Sequence, residues 1–496
     1  MGYIEGKSRY QTQIICLDEY VGKESVCRII DRFIEGADLK GLGFKRAVPK
    51  ELGRNPYDPA YMVKLLVYGY EHAIRSSRKL EELTLVNIEV MWLMDELKPD
   101  FKTIADFRRD NLVPLVNLLS EYNAFLDFCG LFGKQLVAID GTKIKASNNK
   151  KNNYSKKKLA RNIEHSEQRI KEYMALLSES DDMDEACEAN NKIKEYEKRI
   201  EKAKGYLNSL EASGGNEIST VDPDSRLMGN NRSGVDMGYN IQISVDDKAH
   251  LVAAFDITQN PTDHGQLSNM AEKTQEVFLK KEITVLADKG YYGGDDIEAT
   301  EKLGVTPIVA RQLKPGEKDG KRFSLDKFVY NRDKDEYICP EGKQLMAHSK
   351  SKTKDRIFFN KDACQDCPFK GECLGKEKYR RIVRKPQNDI LDRADKRYLE
   401  NKELYKLRQQ TVEHVFGTVK RTMNGGYFLL CKKEKVRAEA ALLLLGYNIK
   451  RTKGFLGVEK TMELMGEWEE FLNARLIVVF LKTVSPLHFS GKFLWA

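Results

Sequence analysis

The sequence predicts an α/β chain, a mixed sheet with helices packed on it and a mainly helical region in front. From residue 136 onward, short apolar runs of strand length alternate with helical stretches. Before about residue 130 the apolar positions recur at helical spacing instead. A polar, helix-rich stretch at 150–222 interrupts the strands and reads as a protruding antiparallel helical hairpin, its alternating charges forming a solvated face.

The helical region begins after the Asn55-Pro56 and Asp58-Pro59 breaks, where "DPAYMVKLLVYGYEHAI" groups Met62, Leu65, Leu66, Tyr68 and Tyr70 at helical spacing. "KTIADFRRDN" opens a further helix, with Thr103 as N-cap and Asp106 three residues later completing a capping-box-like pair. A bundle carrying Arg108 and Arg109 suits DNA binding or dimerisation. "QLVAIDGTKIKA" (135–146) is the first strand, ending its apolar run at Asp140. "GYNIQISVDD" (238–247) and "HLVAAFDITQ" (250–259) follow, joined through Asp246, Asp247 and Lys248 in a hairpin turn. Then come a helix ("HGQLSNMAEKTQEVFLK"), a strand ("ITVLADKGYY", 283–292), a helix ("GDDIEATEKLG") and a short strand ("VTPIVA").

The length of 496 residues allows about three domains. Charged residues make up 32% and the formal net charge of +8 is clustered, which suits a nucleic-acid partner better than an even surface. Nine cysteines in this length do not form a disulfide scaffold. No cleavable apolar core opens the chain, and no apolar run approaches the roughly 20 residues of a membrane span. The expected compartment is therefore cytoplasmic and reducing.

Three acids stand out by context. Asp140 is expected to end the first strand, Asp288 ends "ITVLA" and enters the turn "DKGYYGG", and Glu413 sits in the helical run "YKLRQQTVEHVFGTVKR". Glu413 and Lys420 are seven residues apart, nearly two helical turns, and are expected on one face. Gly417 between them costs about 1 kcal/mol of helix propensity relative to Ala, which a helix accepts more readily where something must approach closely. Three carboxylates from two strand ends and a helix suit two-metal phosphoryl transfer. Mg²⁺, a hard cation, takes oxygen ligands and keeps waters beside a few carboxylates.

"VAIDGTKIKA", "LADKGYYG" and "VEHVFGTVKR" resemble the three acidic motifs of DDE transposases of the IS4/IS5 type. The layout, including "FKTIADFRRDN" and a cysteine-bearing insert, is most similar to the IS1182 group, over roughly residues 45 to 455. The resemblance implies a ribonuclease H-like mixed sheet with flanking helices, in which Asp140, Asp288 and Glu413 bind two Mg²⁺ (or Mn²⁺) ions. It divides the chain into a helical DNA-binding or dimerisation domain (1–130), a catalytic domain (131–455) and a C-terminal tail (456–496). The catalytic domain carries the helical hairpin at 150–222 and a Cys-rich insertion at 312–385.

The family signature also places a Tyr seven residues before the glutamate, an Arg four before it and a Lys seven after it. Lys420 fits the last place, whereas Lys406 and Gln409 occupy the first two, with Tyr405 and Arg408 displaced one residue upstream. One residue is about 100° of helix rotation, so Arg408 is expected to point away from Glu413's face. Either the helix bulges or Lys406 takes over a phosphate contact.

Cys339, Cys364, Cys367 and Cys373 offer four thiolates for a structural Zn²⁺; reduced free thiols and a redox pair are the competing readings. Basic residues concentrate in "KIKASNNKKNNYSKKK", which includes Lys143 and Lys145, and in "RRIVRK" (380–385) before the glutamate helix. With Lys420, Lys406 and Arg408 they are the expected contacts to the phosphate backbone of double-stranded DNA. Tyr291, Tyr292 and His414 either touch that DNA or simply pack. The expected function is that of a bacterial insertion-sequence transposase, cutting element ends and transferring the 3′-OH to target DNA as a homodimer or larger assembly. A nuclease without strand transfer and a catalytically silent DNA-binding derivative are the rivals.

Overall fold

The protein is described by a computed structural model that covers residues 14, 16–48, 55–179, 182–230, 234–311, 323–350, 355–374 and 377–484. The last residues of the expected C-terminal tail, 485–496, lie outside the described residues, as do 312–322 of the expected Cys-rich insertion. Among the described residues no helix is long and apolar enough to cross a membrane.

Four helices of the N-terminal region recur below: α1 (Val26–Gly36), α2 (Pro59–Glu71), α3 (Phe101–Asp110) and α4 (Leu112–Phe128). The Asp-Pro break works as read: Asp58 caps α2 by accepting from the Ala60 N–H, and Pro59 takes a first-turn place where its missing N–H costs nothing. Met62, Leu65, Leu66, Tyr68 and Tyr70 are all buried. The cap of α3 differs from expectation. Asp100, not Thr103, is the N-cap, accepting from both the Thr103 N–H (2.8 Å) and its hydroxyl (2.9 Å). An aspartate three residues upstream competes for the same orphan N–H groups, and so the helix starts earlier.

The central sheet has six strands: β1 (Leu136–Lys145), β2 (Arg226–Asn230), β3 (Gly234–Asp246), β4 (Val252–Thr258), β5 (Thr284–Ala287) and β6 (Thr306–Val309). Its order runs β2-β3-β1-β5-β6, with β4 also paired to β3. β3 is antiparallel to β1, β2 and β4, whereas β5 and β6 run parallel to β1. The mixed sheet is therefore as expected, and the β3–β4 hairpin turns where Asp246, Asp247 and Lys248 stand. Two helices, α7 (Leu267–Phe278) and α8 (Gly294–Lys302), make the crossovers around β5.

The interruption is a helical hairpin, α5 (Lys156–Glu179) and α6 (Met183–Ser213). A small core of Leu159, Ala203, Leu210 and Ile218 closes its base. Its charges pair with one another on an exposed face, as in Arg169–Glu172 and Lys192–Glu195. The cysteine-bearing segment builds a five-stranded antiparallel sheet, β7 (Val329–Asn331), β8 (Glu336–Ile338), β9 (Gln344–Lys350), β10 (Arg356–Phe359) and β11 (Arg381–Arg384). It has its own core, including Phe328, Tyr337, Leu345, Phe358 and Ile382.

Behind it come α9 (Asn388–Glu400), α10 (Lys402–Gly417), α11 (Lys433–Leu456) and α12 (Val458–Val484). Helix α11, apolar almost all round, packs against α2 and α4 and joins the N-terminal helices and the sheet in one core. A buried ion pair locks this junction: Arg75 meets Glu439 at 3.0 Å, with both side chains nearly inaccessible. Arg75 also donates to the carbonyls of Asn424 (2.6 Å) and Tyr427 (2.7 Å).

Two basic groups expected at a DNA face are partly structural, although Arg109, Arg381 and Lys385 stay exposed. Arg108 is buried, donating to Tyr70 Oη, the Arg75 carbonyl and Ser77 Oγ, while Arg109 pairs with Asp106 and Asp110. In "RRIVRK", Arg380 and Arg384 are buried, stacked over Phe328 and Tyr330, and Arg384 also pairs with Asp389 and Asp392. Planar guanidinium groups bury well when stacked and paired, and charge runs do not reveal which way each side chain turns.

Candidate active site

β1 begins with the buried run Leu136–Ile139 and turns half-buried at Asp140. The strand does not end there. It continues to Lys145, because β3 keeps pairing with it as far as Lys145↔Gly238. Its other neighbour, β5, stops at Ala287, opposite Ile139. Asp140 and Asp288 are thus the next residues in register on adjacent parallel strands, which lie about 4.8 Å apart. Further along, residues 426–428 take up the vacated edge, with the Phe428 N–H donating to the Lys145 carbonyl at 2.8 Å. The interval between these two neighbours leaves an opening beside Asp140.

Helix α10 covers this opening, buried through Thr411, Val412 and Val415. Tyr405 and Arg408, three residues apart, both reach the strand ends. Tyr405 Oη donates to the Ala287 carbonyl at 3.2 Å, and Arg408 Nη1 meets Asp140 Oδ2 at 3.2 Å. Arg408 does turn away from Glu413, and in doing so it lands on the first aspartate. Lys406 lies outside, paired with Glu403 at 2.7 Å. Glu413 is exposed and accepts from Gln409 Nε2 at 2.8 Å. A bulge does exist, but it lies after Glu413: residues Thr418–Thr422 form a single wide π turn. Lys420 emerges from that turn to donate to Thr142 Oγ1 and to the Lys143 carbonyl, on β1 two and three residues past Asp140. Among the described residues nothing beyond the helix's own backbone lies within 4 Å of a Cβ built at Gly417.

Burial pushes the Asp140 carboxyl up to about 6; Arg408 and the Gly141 N–H pull it back, and the carboxylates of Asp288 and Asp263 push it further up. Asp288 Oδ1 accepts from the Lys289 N–H at 2.6 Å, opening the turn that holds Tyr291. Tyr291 is fully buried and donates to Gln242 Oε1, while Tyr292 donates to Asp395 at 2.7 Å and His414 bonds Tyr447 at 2.9 Å. The two tyrosines pack within the fold, whereas His414 stays exposed beside Glu413. Lys145 pairs with Asp236 at 2.8 Å, on the strand beside it.

Asp263, in the loop between β4 and α7, escaped the sequence reading. Its Oδ1 accepts from Asn240 Nδ2 (2.8 Å) and Gln242 Nε2 (2.7 Å), both on β3. The only local signal was the glycine directly after Asp140 and the one two residues after Asp288. What those glycines make room for lies elsewhere in the sequence.

Residues 338–452 match the family model of the Transposase DDE domain, and residues 15–110 match that of the Transposase domain (DUF772). The chain is an insertion-sequence transposase. No curated protein and no solved structure matches it. The first span takes in all four cysteines of the insert, Arg408, Glu413 and Lys420; Asp140 and Asp288 lie outside it and are tied to it by the Arg408 and Tyr405 contacts. A DDE transposase is a polynucleotidyl transferase that acts on transposon DNA with divalent metal ions. The oxygen donors beside Asp140 suit a hard cation in kind, and two further carboxylates near a buried one favour positive charge there. Glu413 bonds neither aspartate, and among the described residues no three His, Cys, Asp or Glu side chains are grouped as around a metal ion. The transposase also gathers Cys339, Cys364, Cys367 and Cys373 around one cavity of about 30 Å³ in the five-stranded module. None of the four is in a disulfide.

Proposed function

We propose that this transposase, of the IS1182 group, cuts the ends of its element and joins each freed 3′-OH to target DNA at Asp140, Asp288 and Glu413. The observation that carries this reading is the register of β1 and β5, which sets two aspartates side by side beneath the helix bearing the glutamate. Strand order supports a ribonuclease H-like core, with β3 antiparallel to β1 and with β5 and β6 parallel to it.

Asp140, Asp288 and Glu413 would hold two Mg²⁺ or Mn²⁺ ions, which when bound activate the attacking oxygen and stabilise the leaving one. In the first step a water oxygen bonds to phosphorus as the bond from phosphorus to the 3′ oxygen breaks, leaving a 3′-OH. In the second, that 3′ oxygen bonds to a target phosphorus and the target's own 3′ oxygen leaves, protonated. Arg408 balances the Asp140 carboxylate while DNA is absent. Lys420 and Lys143, just past Asp140, lie where a phosphate backbone entering the opening is met; Lys145, Lys406 and the exposed lysines after 150 supply diffuse attraction. Two ends must be held together, so a dimer or larger assembly forms on DNA. A structural Zn²⁺ in the five-stranded module would be held by the four cysteines that line one cavity, whose thiolates must draw closer to bind it, since no three of them are grouped as ligands.

Asp140→Asn and Glu413→Gln, assayed with Mg²⁺ on DNA carrying the element's ends, abolish cleavage while binding persists. Cleavage by either variant at the native rate refutes the assignment, and nicks without joined products identify a nuclease instead.

A further inference from the structure

We propose that Asp263 is a fourth carboxylate of the metal-binding site, an inference that rests on the site reading above. Three observations converge on it. The first is its place: the carboxylate is wedged between the backbones that follow the two strand-end aspartates. A Cβ at Gly141, next to Asp140, would stand 2.2 Å from Asp263 Oδ1, and one at Gly290, two residues past Asp288, would stand 3.4 Å from Oδ2. The first glycine leaves open a space that Asp263 shares with the Gln242 amide, whose Nε2 would stand 2.3 Å from that Cβ, and the second lies in ordinary contact with Asp263. The loop is seated in the same way one residue on, where a Cβ at Gly293 would stand 2.5 Å from the His264 ring.

The second observation is its anchoring. Asn240 and Gln242 are fully buried on β3, and both donate their amide N–H groups to the same oxygen, Oδ1. That fixes the carboxylate's direction and leaves Oδ2 on the Gly290 side, beside the turn that Asp288 opens. Gln242 is itself held by Tyr291 through its Oε1, so both ends of that amide are committed. Such secured positioning is typical of side chains that orient or join a metal's ligands.

The third observation is an orphan. Asn240 Oδ1 is buried with no hydrogen-bond partner among the described residues. It points into the gap above Gly141, 3.0 Å from where a Cβ would be. A buried unpaired acceptor is costly, and a cation, or a water held by one, satisfies it. Asp263 thus brings a negative charge, and Asn240 an unused oxygen, to the side of Asp140 opposite Arg408's helix. The chemistry they select is a hard divalent cation.

The test is Mn²⁺ binding to the full-length, DNA-free protein, followed by electron paramagnetic resonance, for wild type, Asp263→Asn and Asp140→Asn. Asp263→Asn preserves shape and the acceptor oxygen, and is expected to weaken Mn²⁺ binding by about tenfold to a hundredfold with unchanged thermal melting. Wild-type affinity in Asp263→Asn, when Asp140→Asn has lost it, overturns the role of Asp263 alone. Wild-type affinity in both variants overturns the site reading itself. Asp263→Cys provides a second arm: it should lose Mn²⁺ and gain Cd²⁺ affinity, since a thiolate prefers the softer ion. Loss of cooperative melting in both Asp263 variants would mark the residue as a structural wedge and overturn the proposal.

Discussion

Replacing Arg408 with Met tests how the site tolerates its own charge. Arg408 and Asp140 stand 3.2 Å apart with side chains 16% and 21% exposed. At an effective dielectric of about 20, such a pair attracts by about 5 kcal/mol before desolvation and side-chain entropy are deducted. Fully buried pairs lose about 3–5 kcal/mol when one partner is removed, and exposed pairs about 0–1. This intermediate pair should therefore lose about 2 kcal/mol. The loss depends on pH with a definite sign. The folded-state carboxyl is raised from 3.8 to about 6, so the native state keeps its proton to higher pH than the unfolded chain, and stability falls as pH rises from about 4 through 6. Arg408 limits that fall. Without it the fall deepens and extends to higher pH. Urea denaturation in EDTA should show a small difference between wild type and Arg408→Met at pH 5 and about 2 kcal/mol at pH 8. An equal destabilisation at both pH values would show that Arg408 acts by packing, and would refute the electrostatic account.

Breaking the buried pair between the N-terminal helices and α11 with Glu439→Gln or Arg75→Met should cost about 3–5 kcal/mol in equilibrium unfolding, because the remaining partner is left buried. A loss below about 1 kcal/mol would mean that water reaches this junction. Gly417→Ala should stabilise the DNA-free chain by up to about 1 kcal/mol, since among the described residues the added methyl meets nothing within 4 Å beyond its own helix backbone. If DNA passes close to that turn, the same change weakens end binding in a filter or gel assay; unchanged affinity rules out close approach there. Removing zinc with a chelator, or making Cys364→Ser, should lower the melting temperature and leave about one zinc fewer per chain by elemental analysis. Native protein that contains no zinc would refute the thiolate site.

Local patterns in the sequence were reliable where one segment carries its own reason. The helical period of α2, the β3–β4 hairpin, the polar hairpin α5–α6 and the acids after two apolar runs are all set by neighbouring residues. Caps and charge runs were less so. Asp100 displaced Thr103 as a cap because two nearby groups compete for the same N–H donors. Arg108, Arg380 and Arg384 looked like DNA contacts, yet each is buried against aromatic or acidic partners that a charge count does not see.

The candidate site divides along the same line. Sequence alone singled out Asp140, Asp288 and Glu413 for the chemistry proposed above, because each stands at the end of an apolar run or on an amphipathic helix next to basic residues. Only the tertiary structure decided how they are supported. Arg408 reaches Asp140 from 268 residues away, and Tyr405 reaches Ala287 from 118. Asp263, with Gln242, fills the space left by Gly141 and touches the turn after Asp288 at Gly290. Such contacts depend on strand register and on which face a helix turns inward. Both are settled by burying the whole core at once, and neither is written in any one stretch of the chain.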